Sequence, residues 1–355
     1  SESVIFVSMK KHKYLFIRRI LLMLLLLGVI VFRFIPAAGE WYVRCIYPLV
    51  SLVLSWITSW IPFSLDEWLV VLAAVLLVAY PFWARKHGRK WRSLLLVEGE
   101  MVLWIYIWFY WGWGNNYFRD GFYQRAEVAP RAYHEAEFKQ FLREYTDSLN
   151  ASYCTETEGE REDLHRHIKQ LYRTVPSRFG LAVPYDFQHP KYTCFNILYS
   201  KVGVLGYMGP FFAESHVNRE LLPVQYPFTY AHELSHLLGI SSEAEANYWA
   251  YQICTRSHRS FVRYSGYFGI LPYVIFNARM LLGESDYQAW INTLRPEVIA
   301  QLKAERAYWD ERYSQMLGKI QSAVYEFYLK GNRISDGQKN YAEVVGMLLA
   351  LPEVH

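Results

Sequence analysis

The 355-residue chain is poor in cysteine: only Cys45, Cys154, Cys194 and Cys254, with no CxxC pair among them. That absence excludes a cysteine-built metal centre. A Cys154–Cys194 bridge and two buried free thiols both remain compatible with the sequence. No internal repeat and no low-complexity segment occurs, so repeat architectures and disordered linkers drop out. Net charge is also scarce, at +4. The basic residues sit beside apolar stretches rather than on a face of their own, and nucleic acid is therefore not an expected partner. Apolar residues are plentiful instead: 53% hydrophobic and 18% aromatic, with 13 Trp and 29 Tyr. The length suffices for a membrane region plus one domain with its own core.

The first third carries the long apolar runs. Residues 14–35, YLFIRRILLMLLLLGVIVFRFI, are long enough to span a bilayer, with Arg18 and Arg19 placed to snorkel. No small-residue cleavage site follows convincingly, which disfavours a signal peptide. Residues 66–83 and 94–114 are further spans, the latter ending in an aromatic belt. Residues 41–63 are ambiguous, because Arg44, Pro48 and three serines interrupt them. The basic clusters at Lys10, Lys11 and Lys13 and at 84–92 should both be cytoplasmic, which requires an even number of crossings between them. The expectation is therefore a multi-pass protein of the bacterial cytoplasmic (inner) membrane. It has a membrane region over 1–117, three spans, 41–63 interfacial or re-entrant, and a domain over 118–355 outside the cytoplasm. Four spans is the alternative.

From about residue 118 the pattern becomes that of a globular domain. Amphipathic helices are expected over 130–153 and 160–175, and a small sheet or hairpin over the Gly-punctuated stretch 192–212. A long helix is expected over 296–332, ending at Gly331, and a shorter one over 340–351. The fold class is then an N-terminal α-helical transmembrane region followed by a mostly helical α+β domain.

The stretch YAHELSHLLGISSEAEANYWAY, residues 230–251, carries the chemistry. His232 and His236 are four apart, so on a helix both imidazoles leave one face. Two neutral nitrogens so placed can reach one zinc ion at roughly 2.0–2.1 Å. Glu233, beside the first of them, is placed to hold a water and take its proton. Gly239 is placed to end the helix. A catalytic zinc needs a third protein ligand and an open position, for which Glu243 and Glu245 both qualify. Ser242 and Glu245 have capping-box spacing, which would occupy Glu245 at the next helix's N-terminus. Glu243 is therefore the expected ligand and Glu245 the alternative.

HELSH followed by EAEANYWA resembles the paired motifs of zincin metallopeptidases whose third ligand is a glutamate on the following helix. The resemblance implies Glu243 as that ligand and Asn247 as a supporting residue. Only six residues separate His236 from Glu243 here, fewer than is usual in those families. The tight HELSHLLGISSE also resembles proteins with a third histidine, but Ser242 stands in its place. A wider resemblance runs through IPFSLDE (61–67), GYMGPFFAESHVN (206–218), PFTYAHELSHLLGISSEAEANYWAY (227–251) and YSGY (264–267), and on to YLKGN and YAEVVGMLLAL. It is to the bacterial family called domain of unknown function 3810. What the resemblances imply is a zincin-like, zinc-dependent membrane peptidase with Zn2+ as cofactor, a peptide or protein as substrate and the lipid bilayer as surroundings.

Other residues are weaker candidates. Glu214, His216 and Asn218 alternate, as on one face of a strand, where His216 could line a substrate groove. Tyr264 could donate to a transition-state oxyanion. His165, His167 and His258 sit among Arg and Lys and are expected to be solvated. Glu98 and Glu100 are expected at the interface, near a helix start. The competing function is a noncatalytic, zinc-stabilised envelope receptor or scaffold, against which the retained Glu233 counts.

Overall fold

The computed structural model describes residues 2–130, 134–155, 160–332 and 343–353. Four helices begin the chain: α1 Glu2–Phe34, α2 Pro36–Ser59, α3 Leu65–Lys86 and α4 Trp91–Gly112. Each is long and apolar enough to cross a membrane. Their outward side chains include Met23, Leu24, Leu72, Val78, Phe82 and Leu96, all exposed. That much contiguous apolar surface is the surface of a membrane protein. Ser64 caps α3, accepting from the Glu67 amide at 3.1 Å. Arg18 of α1 pairs with Glu100 of α4 at 2.8 Å, so Glu100 is matched by a charge from the neighbouring helix.

These helices meet the globular part in two ways. Among the described residues, α1, α3 and α4 meet it near one end. Asp66, in the first turn of α3, accepts from the amides of Phe211 (2.8 Å) and Phe212 (3.2 Å). Trp108, near the end of α4, donates to the Phe211 carbonyl at 2.7 Å. Helix α2, which contains a π-helical turn at Tyr42–Ile46, touches it along its whole length. Arg44 donates to the carbonyl of Arg178 (2.9 Å), Tyr47 to that of Leu237 (2.7 Å), and Gln188 to Ser55 Oγ (3.0 Å). Just beyond α2, Lys191 donates to the Phe63 carbonyl at 3.0 Å.

The globular part continues with α5 Glu135–Ser152, α6 Arg161–Tyr172, β1 Lys191–Tyr192, α7 Asn196–Lys201, β2 Gly206–Gly209 and β3 Glu214–Val217. There follow α8 Tyr226–Leu237, α9 Glu243–Thr255, α10 Ser260–Leu281, α11 Glu284–Ile291, α12 Pro296–Asp310, α13 Gln315–Gly331 and α14 Glu343–Ala350. β3 is central in a three-stranded sheet, parallel to β1 and antiparallel to β2, which forms an edge. The core gathers around α9, whose Tyr248, Trp249, Ala250 and Ile253 are fully buried with Phe138, Leu149, Tyr264 and Val274. α9 sits at the centre with its polar groups partnered: Glu245 with Arg125, Asn247 with His232 and Gln252 with the Pro352 carbonyl.

The expected elements are present with three corrections. The expected helix over 296–332 is two, α12 and α13. The chain turns at Ser314, whose amide donates to the Lys201 carbonyl at 2.8 Å. Tyr313 folds back against Gly318, where its hydroxyl occupies the space a Cβ would need. A tertiary contact thus overrides a continuous helical pattern. His165 and His167 are buried, not solvated, and meet Tyr226 (2.9 Å) and Ser257 (2.7 Å). Burial lowers the pKa of His165 to about 3, so it sits neutral in the core. Of the two alternatives for Cys154 and Cys194, the disulfide is not formed, and neither residue is buried: Cys154 is half-buried and Cys194 exposed. Of the helix expected over 340–351, residues 340–342 lie outside the described residues.

Candidate metal centre

The motif helix α8 starts with Pro227 in its first turn, where a missing amide costs nothing. It ends in a Schellman turn: the Gly239 amide donates to the His236 carbonyl (3.0 Å) and the Ile240 amide to that of Ser235 (3.1 Å). Gly239 adopts φ +99°, which a side chain would resist. That turn brings the Ile240 carbonyl to 2.7 Å from His236 Nδ1. On the other histidine, Asn247 Oδ1 of α9 lies 2.9 Å from His232 Nδ1. Each Nδ1 therefore faces an oxygen acceptor, which fixes the tautomer that leaves the Nε2 lone pair free.

The two Nε2 atoms are 3.1 Å apart. Glu243 Oε2 lies 3.2 Å from His232 Nε2 and 3.7 Å from His236 Nε2. Bonds of about 2.05 Å in a tetrahedron place ligand atoms roughly 3.3 Å apart, close to all three separations. Two lone pairs and a carboxylate aimed at one point repel unless a positive charge lies between them. A proton on His236 supplies such a charge as well as a metal does. Burial works to lower the His236 pKa, yet Glu243 and Glu233 push it up to about 9. Burial works to raise the Glu243 carboxyl, yet His236 and His232 hold it well below the usual range. The donor set fits Zn2+, and the oxygens of Asn247 and Ile240 facing the two Nδ1 atoms hold the rings in place for it.

Glu233 follows His232 on α8 and is buried, with Oε2 lacking a hydrogen-bond partner. Burial, with Glu243 adding to it, pushes its pKa up to about 7 against the opposing histidines. Its side chain packs on Gly206 of the edge strand β2, where a Cβ would come within 2.8 Å of Glu233 Cγ and Oε1.

The structure separates the two acids of EAE. Glu243 joins His232 and His236, the one group among the described residues able to hold a metal ion. Glu245 turns away to a buried ion pair with Arg125, and also accepts from Trp249 Nε1 at 2.9 Å. Half of the expected capping box forms: Ser242 Oγ accepts from the Glu245 amide at 3.3 Å, while the Glu245 carboxylate is spent on Arg125.

His216 and Tyr264 are not brought to the cluster. His216 lies fully buried in β3, its ring stacked on Tyr207 at 4.3 Å and its Nε2 3.4 Å from Glu214. Glu214 is buried too, accepting from Lys191 (2.5 Å) and from the amides of Leu65 and Asp66 at the start of α3. Through Glu214 this face of β3 joins the sheet to the start of α3. Tyr264 is buried in the core and donates to Gln301 at 2.5 Å.

Several residues that local pattern does not mark hold the site in place. The last carbonyls of α8 and its turn accept from Trp113 (to His236, 3.0 Å), Tyr47 (to Leu237, 2.7 Å) and Arg119 (to Gly239, 2.8 Å). Tyr325 of α13 donates to Glu243 Oε1 at 2.7 Å. The partners are separated by 82 to 190 residues, beyond any sequence window. Neither any curated protein nor any solved structure matches the chain. The family described as protein of unknown function (DUF3810) matches over residues 42–349, and the chain belongs to it.

Proposed function

We propose that this protein is a membrane-anchored, zinc-dependent peptidase with a zincin-like domain. The observation that carries the reading is the convergence of His232 Nε2, His236 Nε2 and Glu243 Oε2, with the unpartnered carboxyl of Glu233 alongside. His232, His236 and Glu243 hold the ion. A bound zinc supplies Lewis-acid polarisation of a scissile carbonyl. Glu233 takes the proton from the attacking water and delivers it to the leaving nitrogen. A scaffold with a structural zinc has no use for a buried, unpartnered carboxyl beside the metal.

In this reading α1, α3 and α4 cross the bacterial cytoplasmic membrane, and the globular part lies outside the cytoplasm. The two basic clusters then share the cytoplasmic side. The contacts of α2 with the globular part from Arg44 to Ser55 support an interfacial rather than crossing segment.

Elemental analysis of the purified protein tests the site. About one zinc per chain is expected, lost in both His232→Ala and Glu243→Ala. Glu233→Gln should keep the metal and abolish hydrolysis of peptide substrates. Wild-type protein free of zinc after metal supplementation sinks the reading.

A further inference from the structure

α13 has two opposed faces with different partners. Its inward Tyr325 donates to Glu243 at 2.7 Å. Its outward side carries Met316, Ile320 and Val324 at four-residue spacing, exposed by 69%, 58% and 64%. A helix that spends one face on a polar site and leaves a continuous apolar stripe outside is amphipathic in the interfacial sense.

Both ends of α13 are fixed where the membrane helices meet the globular part. At its start, the Ser314 amide donates to Lys201, the last residue of α7. α7 and the residue before it expose Phe195, Ile197 and Leu198, and the Phe195 ring lies 6.0 Å from Trp68 in the first turns of α3. At its end, Arg33 of α1 donates to the Gly331 carbonyl at 3.1 Å, and Tyr110 of α4 donates to Asn332 at 2.8 Å. Arg33 and Tyr110 both lie in the last turns of their helices. A 17-residue helix is about 25 Å long. α13 therefore runs from the α3 side of the helix bundle to the α1–α4 side, with each end at the level where apolar spans give way to polar structure.

We propose that α13, together with α7, is seated in the interfacial layer of the lipid bilayer and forms a membrane-side cover over the candidate metal centre. Lipid is the occupant because the apolar stripe continues the apolar surface of the spans to which both ends are tied. Lys319 is exposed on the flank of the stripe, the position from which a lysine on an interfacial helix extends to lipid phosphates. The seat does not depend on whether the centre hydrolyses anything.

The test uses the full chain in nanodiscs of phosphatidylcholine and phosphatidylglycerol. Cys45, Cys154 and Cys194 are replaced by serine, which leaves only the buried Cys254. A nitroxide is attached in turn at Ile320→Cys, at Val324→Cys and, as a water-exposed control, at Arg306→Cys on α12, whose side chain is 85% exposed. The ratio of collisions with oxygen to collisions with a water-soluble nickel chelate should be several-fold higher at 320 and 324 than at 306. Equal ratios at all three positions overturn the proposal. So does spin–spin broadening at 320 that vanishes on dilution with unlabelled protein, because a second copy of the chain would then cover the stripe.

Discussion

Single residues decide whether the cluster of ligand atoms can hold a metal. Asn247 aims its oxygen at His232 Nδ1 from 2.9 Å and orients a ring whose other nitrogen faces the site. Asn247→Ala should weaken zinc binding by about 10–100-fold, read by competition with a chromogenic chelator, while leaving the stoichiometry at saturation unchanged. Far from this site, Glu305 shows a different effect of burial. Its Oε1 accepts from Gln225 at 2.8 Å and its Oε2 has no partner. Burial pushes its pKa up to about 7, above the ordinary carboxylate value. The folded state then binds the proton more tightly than the unfolded chain. The stability this gives is complete below the unfolded pKa and is lost as pH rises through about 7. Thermal melts between pH 5 and pH 8 should show that loss, and Glu305→Gln should flatten it. An unchanged slope in the variant would assign the loss to other groups.

At the scale of elements, the close approach of β2 to α8 is what confines Glu233. Gly206 sits where any side chain would collide with the Glu233 carboxyl and with the His216 carbonyl. Gly206→Ala should keep zinc bound and cut the rate of peptide hydrolysis far more than it lowers the melting temperature. Equal loss of metal would show instead that the whole of α8 had shifted. The same scale separates legible elements from illegible ones. α8 and α9 could be read directly, because Pro227, Gly239 and Ser242 punctuate them with local chemistry. The break between α12 and α13 could not, because it depends on Lys201, more than a hundred residues away.

Across the whole molecule, the membrane-proximal segments and the candidate centre are one construction. Tyr47, Trp113 and Arg119 bind the carbonyls at the end of α8, and Glu214 receives the amides at the start of α3. A metal bound only by the folded arrangement stabilises all of it. Zinc at 100 times its dissociation constant should contribute about 2.7 kcal/mol. Chelation should therefore lower the melting temperature of the wild-type protein in detergent or nanodiscs. It should have no effect on His232→Ala. A melting temperature insensitive to chelation in zinc-loaded protein would show that the ion binds folded and unfolded chains alike.

Short-range periodicity and spacing are legible in the chain before it folds. Apolar runs of bilayer length, the i, i+4 pair His232 and His236 with Glu233 between them, and a helix stop at Gly239 are all local statements. Capping-box spacing already favoured Glu243 over Glu245, but the partner that draws Glu245 away has no local signature. Arg125 claims Glu245, and that choice depends on a contact across 120 residues. The burial of His216 and Tyr264 was likewise set by the fold, since burial depends on what packs over a residue and not on its neighbours in the chain. The contacts along α2 and the two-faced setting of α13 were decided at that level too, because identical apolar patterns can face lipid, core or another helix.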